Sequence, residues 1–199
     1  MAATRRTYFP GSDFAGRPLI GTTVSETPWF RVHPNDKSPI YFGKNANNRF
    51  TPKNSPFGVW YAAEDLQTAL FELFGDEILE NDCRIRGWRW MSYRISEMHL
   101  PPASVCDLSN EQTRTVLRVD LASLLAPELE IPQEWALAVM NHRAEVDGIQ
   151  YQSRFTSRKC LALFDRRGIG PEIRTNLLGE LTSLPEANKF LDDYKVVIV

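Results

Sequence analysis

Residues 58–75 read GVWYAAEDLQTALFELFG, and this stretch decides the fold class. Gly58 to Ala63 is a short apolar run with strand character. Glu64 and Asp65 come next as acidic first-turn residues of a helix, a placement that suits the positive end of its dipole. Leu66, Ala69, Leu70, Leu73 and Phe74 then recur at helical spacing, and Gly75 offers a C-cap. Upstream, Trp29-Phe30-Arg31-Val32-His33 reads as a strand, with Arg31 and His33 on one face and Phe30 and Val32 on the other. Pro34-Asn35-Asp36 turns the chain, and Ile40-Tyr41-Phe42 is a second short strand. Residues 43–57 (GKNANNRFTPKNSPF) are a loop by their Asn, Gly and Pro content, exposed and adaptable in the way ligand contacts require. Downstream, residues 88–99 (WRWMSYRISEMH) alternate as one long strand ended by Pro101-Pro102. Residues 110–126 and 132–146 read as helices, 148–153 and 159–164 as strands, 184–192 as a helix and 195–199 as a closing strand. Five to seven strands with three or four helices, lacking regular βαβ alternation, give an α+β class. Residues 1–24 read as an irregular leading arm. Residues 25–199 contain no repeat and no long linker, so they are expected to form one domain.

The chain has 199 residues, with 23 Lys and Arg against 25 Asp and Glu, a formal charge of −2. Hydrophobic residues are 43% and charged residues 24%, which excludes a disordered or collagen-like chain. A near-neutral balance also removes the simplest case for a protein that coats nucleic acid. Cys83, Cys106 and Cys160 are odd in number and far apart, fitting a reducing compartment rather than a disulfide framework. Arg5 and Arg6 lead into no apolar segment of a signal peptide, and no run of about 18 apolar residues occurs. The expected address is the cytoplasm, with no membrane partner. Sixteen of the 22 aromatic residues fall in residues 1–100. They serve either a thick core under a sheet or an aromatic-walled cleft, and composition does not separate the two.

No GxGxxG, P-loop, HExxH or GxSxG motif is present, and His33, His99 and His142 share no ligand spacing. No metal is expected. The run Arg84-Ile-Arg86-Gly-Trp88-Arg89-Trp90-Met-Ser-Tyr93-Arg94 has the look of a nucleic-acid surface. The net acidity favours a plain strand with one solvated Arg face. Taken one at a time, the polar residues around the Asn-rich loop also have bland readings. Helical angle points Glu72 at solvent, Ser153 suits a turn, and Arg31 suits the open side of a strand.

In combination they resemble a known family. Trp29-Phe30-Arg31-Val32-His33, Asn48-Arg49-Phe50, Val59-Trp60-Tyr61-Ala62-Ala63, Thr68-Ala69-Leu70-Phe71-Glu72 and Gly148-Ile149-Gln150-Tyr151-Gln152-Ser153-Arg154 match the order and spacing of the RES domain family. The resemblance spans about residues 28–165. The chain departs from the family pattern in its N-terminal arm, its long Asn-rich loop, its tail after Phe164, and Asn48 where a glycine usually precedes the Arg-Phe pair. The resemblance implies an ADP-ribosyltransferase-like fold, a mixed sheet with flanking helices, and a cleft that binds NAD as substrate. It implies a bacterial toxin that consumes NAD by hydrolysis or phosphorolysis, neutralised by a cognate antitoxin of Xre type. The alternative is an ADP-ribosyltransferase that modifies a cellular protein, and a more distant one is a non-catalytic nucleic-acid-binding module. Matched by motif, Arg49, Tyr61, Glu72 and Ser153 are the catalytic set, and Arg31, Arg49, Tyr61 and Ser153 the NAD-binding set. No cofactor beyond NAD, no metal and no direct nucleic-acid contact are implied.

The chemistry suits these residue types. Cleaving the nicotinamide–ribose bond leaves oxocarbenium-like charge on the sugar, which a carboxylate at Glu72 would stabilise. A guanidinium pairs with pyrophosphate through two parallel hydrogen bonds, a role for Arg31 and Arg49. Tyr61 offers a face for a pyridinium ring, worth about 1–2 kcal/mol once desolvated. Ser153 supplies a small donor for an amide or a ribose hydroxyl. Nicotinamide departs as a neutral group, so no general-acid histidine is called for.

Overall fold

The computed structural model describes residues 9–24, 27–166 and 168–199; the first eight residues of the expected arm lie outside them. The elements run β1 (Gly21–Val24), β2 (Trp29–Pro34), β3 (Val59–Ala63), α1 (Leu66–Glu80), β4 (Arg84–Ile85), α2 (Gly87–Met91), β5 (Tyr93–His99) and β6 (Ala103–Asp107). They continue α3 (Glu111–Leu117), α4 (Leu121–Leu125), α5 (Glu130–Met140), β7 (Gly148–Gln152), β8 (Lys159–Phe164), β9 (Arg174–Glu180), α6 (Pro185–Tyr194) and β10 (Val197–Ile198). Eight strands form one sheet in the order β1-β6-β7-β8-β3-β2-β5-β9, and β10 pairs with β4 apart from it. Within the large sheet β6 and β7 run parallel and the other neighbours antiparallel. The α+β class is as the sequence reads.

Strand alternation distributes the core over both faces of this sheet. Val59 and Ala63 of β3, with Cys160, Ala162 and Phe164 of β8, face the helices and join Phe50, Leu70, Phe74, Trp135 and Phe190 in the larger core. Trp60 and Ala62, with Leu161 and Leu163, face the other way onto Trp29, Met98, Ile169 and Ile173. Most of the aromatic excess is therefore core. Burying side chains such as Leu70 and Phe74 contributes roughly 1.5–3 kcal/mol each.

Several elements differ from their sequence reading, each for a local reason. Asp65 is the N-cap of α1 rather than a first-turn residue, its carboxylate accepting from Thr68 N at 2.7 Å. The helix does not stop at Gly75 but continues to Glu80, because Gly75 is a packing glycine. A Cβ there would lie 2.6 Å from Phe155 Cε1 and Cζ. Residues 88–91 are not strand: the chain turns through α2, buries Trp90 against Phe74 with ring centroids 5.4 Å apart, and enters β5 only at Tyr93. Residues 40–42 pair with nothing as a strand. They lie over the second core as a cover, pinned where Trp60 Nε1 donates to Pro39 O at 2.8 Å. The reading of 110–126 as one helix fails at Arg118, whose left-handed φ of 58° ends α3 before Asp120 caps α4. The expected 132–146 helix begins at Glu130 and stops at Met140. The described part of the leading arm is ordered too: β1 pairs with β6, and Phe14 is buried edge-on against Trp135. The strands β6 and β9 carry no local signal that separates them from loop.

The basic run of residues 84–94 is not one solvated face either. Arg86 Nε and Arg89 Nε each lie 3.2 Å from the carboxylate of the buried Glu77, and Arg89 Nη2 donates to Leu73 O at 3.1 Å. Two of its guanidinium groups therefore hold α2 against α1. Replacing Arg86 and Arg89 together by Ala would leave Glu77 buried without its cations, a loss of about 3 kcal/mol. Urea unfolding should show it as a lowered midpoint with unchanged slope. An unmoved midpoint would show that the pair is dispensable.

Candidate functional site

Four of the five residues singled out in the sequence meet on the open side of α1. Glu72 projects from that helix away from its apolar stripe, as the periodicity predicts. The turn at residues 153–158 leaves β7 and folds over this side of α1, so the outward-facing carboxylate meets protein as well as solvent. Thr68 Oγ1 and Thr156 Oγ1, 3.1 Å apart, tie the turn to the helix. Ser153 N donates to Arg158 O at 2.8 Å, which closes the turn on itself.

Both oxygens of Glu72 take a hydroxyl. Ser153 Oγ donates to Oε1 at 2.6 Å and Tyr151 OH donates to Oε2 at 3.1 Å. Residues 149, 151 and 153 share one face of β7 by strand alternation, which aligns both donors with the carboxylate. Motif matching passes over Tyr151, although the same period-two argument that places Ser153 here places it too. Glu72 keeps an exposed surface, yet the protein packed around its carboxylate partly desolvates it and raises its pKa above the ordinary carboxylate value. The Ser153 and Tyr151 hydrogen bonds and the charges of Arg49 and Arg154 act in the opposite direction.

Arg49 arrives on the Asn-rich loop, which is anchored rather than adaptable. Gln133 Nε2 of α5 donates to Ala46 O at 2.7 Å and Asn48 O at 3.1 Å. Arg49 Nη1 then donates to Leu124 O at 2.7 Å and Ala126 O at 2.8 Å, satisfying carbonyls left free at the end of α4. The next residue, Phe50, is fully buried and packs its ring 4.7 Å from that of Tyr151. Its backbone N–H donates to Tyr61 OH at 3.0 Å, and Thr51 Oγ1 lies 2.9 Å from the same oxygen. Desolvation pushes the Tyr61 phenol well up, so it stays neutral at physiological pH.

Arg31 is the outlier. It lies on the face of β2 away from the helices, beside Trp60, with its guanidinium carbon 5.4 Å from that ring. β2 pairs with β5 along all six of its residues but meets β3 only at Phe30–Ala63, and the wedge between β2 and β3 exposes carbonyls. Arg31 fills it, Nη1 donating to Tyr61 O at 3.3 Å and Nη2 to Tyr41 O at 3.1 Å. Burial draws its pKa down to about 10, still protonated at neutral pH. His33, its neighbour on the same face, is buried and hydrogen-bonded to Ser96 Oγ at 3.0 Å. Among the described residues neither Arg31 nor Arg49 has a carboxylate within ion-pair distance, so each is a cation satisfied by neutral carbonyls. Arg154, in contrast, pairs with Asp76.

The assembled group is one carboxylate with two hydroxyl donors, a neutral phenol, and the Arg49 guanidinium, with the Arg31 charge behind the Tyr61 backbone. This cluster, at the solvent-facing position of Glu72 on α1, is the candidate recess. Two surface cavities, of about 420 Å³ against α5 and about 370 Å³ between Trp29, Glu64 and Lys159, share no residue with it. Among the described residues no three His, Cys, Asp or Glu side chains cluster as metal ligands, no helix is long and apolar enough to cross a membrane, and all three cysteines are free.

A family model of the RES domain matches residues 28–176. A chain of the crystal structure of the M. tuberculosis MbcT–MbcA toxin–antitoxin complex shares this fold with a TM-score of 0.67 and 13% identity. The match covers 94% of this chain and 99% of that one. No curated protein matches the chain.

Proposed function

The chain belongs to the RES domain family, and from that premise and the charges of its recess we propose that it is a toxin that cleaves the nicotinamide–ribose bond of NAD. The observation that carries the proposal is a doubly hydrogen-bonded Glu72 beside Arg49, whose guanidinium is held by neutral carbonyls and, among the described residues, has no carboxylate within ion-pair distance. An uncompensated cation beside a fixed anion suits a substrate that carries a pyrophosphate at one end and develops positive charge at the other.

In the proposed reaction Arg49 holds the pyrophosphate, with the Arg31 charge acting from behind Tyr61. Tyr61 itself, fixed through Phe50 and Thr51, borders the pyridinium. The glycosidic bond breaks with its electron pair passing to the ring nitrogen, so nicotinamide leaves neutral. Glu72 stabilises the oxocarbenium-like sugar and holds the ribose. Ser153 serves by holding Glu72 rather than by meeting the substrate first. Water then adds to the anomeric carbon, giving ADP-ribose and a proton; phosphate would give ADP-ribose 1″-phosphate, and a protein nucleophile an ADP-ribosylated protein. Incubating purified protein with NAD, with and without phosphate and cell extract, separates these three products. Unchanged NAD in every arm would refute the proposal.

An antitoxin partner fits the same charges, and the structural neighbour is itself a chain of a toxin–antitoxin complex. A carboxylate presented by an antitoxin would take the place of the pyrophosphate in the positive field of Arg49 and Arg31. Inhibition should then be competitive, the apparent KM for NAD rising with antitoxin while the maximal rate holds. A fall in maximal rate that saturating NAD does not relieve would place the antitoxin elsewhere.

A further inference from the structure

We infer that Tyr151 is a positioning residue for Glu72: its phenol O–H donates to one carboxylate oxygen and fixes the side chain in place. The inference rests on the proposed reaction for its functional consequence, but its physical core is independent of that reaction. Glu72 sits on an outward-facing helix position where an unheld side chain would sample several rotamers, and two donors on one β-strand face hold it. Ser153 is on a turn residue, at the end of the strand. Tyr151 is different: it lies within β7, is 5% exposed, and stands opposite Cys160 in the β7–β8 ladder.

Its surroundings tie the carboxylate to the rest of the recess. The Tyr151 ring packs on Phe50, and the Phe50 backbone N–H holds Tyr61. The next residue back, Arg49, grips the end of α4. A single buried aromatic pair thus fixes the carboxylate, the phenol and the guanidinium relative to one another. The Tyr151 phenol is itself pushed far up by burial and by the Glu72 charge, so it remains a hydrogen-bond donor across the working pH range.

The charged and titratable groups acting on Glu72 and its donor come from every side. Arg49 projects from the loop, Tyr61 from β3, Tyr151 from β7, Cys160 from β8, Arg154 from the turn, and Asp76, paired with Arg154, from α1 itself. Cys160 is held neutral by burial. With Tyr151 neutral as well, removing its hydroxyl alters no charge near the carboxylate. It removes one donor.

Tyr151→Phe keeps the ring and its contact with Phe50, so the expected change is confined to Glu72. Its apparent pKa, tracked by the ¹³C shift of the side-chain carboxyl, should rise by about one pH unit relative to wild type. The acid limb of NAD turnover should move up with it. On that acid limb kcat should fall up to tenfold, KM for NAD should change less than twofold, and buffer above the limb should restore much of the rate. Site-specific 3-fluorotyrosine at position 151 preserves size while making the phenol a stronger donor, and should move the Glu72 pKa downward by a few tenths. A Glu72 titration unmoved by either change would overturn the inference. So would an equal loss of kcat at all pH values with an unmoved titration, which is the mark of a merely structural residue. The carboxyl titration needs no substrate: absence of NAD turnover in the wild type would refute the proposed reaction while leaving the Tyr151–Glu72 coupling open to this test.

Discussion

Glu72→Gln should lower NAD turnover by about a thousandfold while leaving the protein folded and, because solvent screens the exposed part of the side chain, only slightly more stable than wild type near pH 8. The activity loss comes from removing the one negative charge placed to meet the developing cation, an electrostatic contribution of roughly 10²- to 10³-fold for a single preorganised group. Gln retains the size of Glu, one acceptor for a hydroxyl, and an amide that donates to the other. The stability gain comes from the direction of the Glu72 shift. Partial desolvation raises its pKa in the folded protein, so the folded state binds the proton more readily than the unfolded chain does. Its contribution to stability is complete below the ordinary Glu value and is lost as pH rises through the raised folded value. Gln never ionises and escapes that loss. Melting curves of the two proteins should therefore diverge at neutral and alkaline pH and converge as pH falls below about 4. A Gln variant less stable than wild type at pH 8 would mean that the Ser153 and Tyr151 hydrogen bonds outweigh desolvation.

The second large effect is expected at Arg49. Arg49→Ala should reduce kcat/KM for NAD by about 10²- to 10³-fold, mainly through KM, because it removes a charge-assisted contact to the substrate. It also frees the Leu124 and Ala126 carbonyls, so a loss of about 1–2 kcal/mol in stability should accompany it. Lys should rescue poorly: one ammonium does not reproduce a planar fork that spans two carbonyls and a phosphate. A nicotinamide riboside substrate separates the two roles, since it keeps the scissile bond and lacks the pyrophosphate. Against that substrate, wild type and Arg49→Ala should differ by less than about fivefold. An undiminished gap would mean that Arg49 acts on the sugar or on the position of Tyr61, not on the pyrophosphate.

How far the recess is legible in the sequence depends on the physical origin of each feature. Motif order selects Arg49, Tyr61, Glu72 and Ser153, and the structure brings those four to one side of α1. Helical periodicity also reads Glu72 correctly as outward-facing; what it does not convey is that the 153–158 turn comes back over that face, a contact 81 residues away in sequence. Motif order groups Arg31 with the same surface, but strand parity sends it to the opposite face, and the divergence of β2 from β3 is a tertiary event with no local signature. Gly75 illustrates the converse. A glycine after an apolar stripe is locally a helix stop, yet here it makes room for Phe155, a partner invisible within any window along the chain. Trp88-Arg89-Trp90-Met91 alternates like a strand, and its helical turn is fixed by Trp90 packing on Phe74 and Arg89 reaching Glu77. β9, an exposed edge strand with sequence RTNLLGE, has neither alternation nor an apolar run, so only its pairing with β5 defines it.

Release of nicotinamide from NAD by the purified protein is the decisive measurement, because the same bond breaks whichever acceptor completes the reaction. Nicotinamide should appear at a rate proportional to protein concentration, with an acid limb above the ordinary Glu value, and Glu72→Gln should reduce that rate by about a thousandfold. NAD left intact by the folded wild-type protein, in the presence of both phosphate and cell extract, would refute NAD cleavage as the activity of this recess.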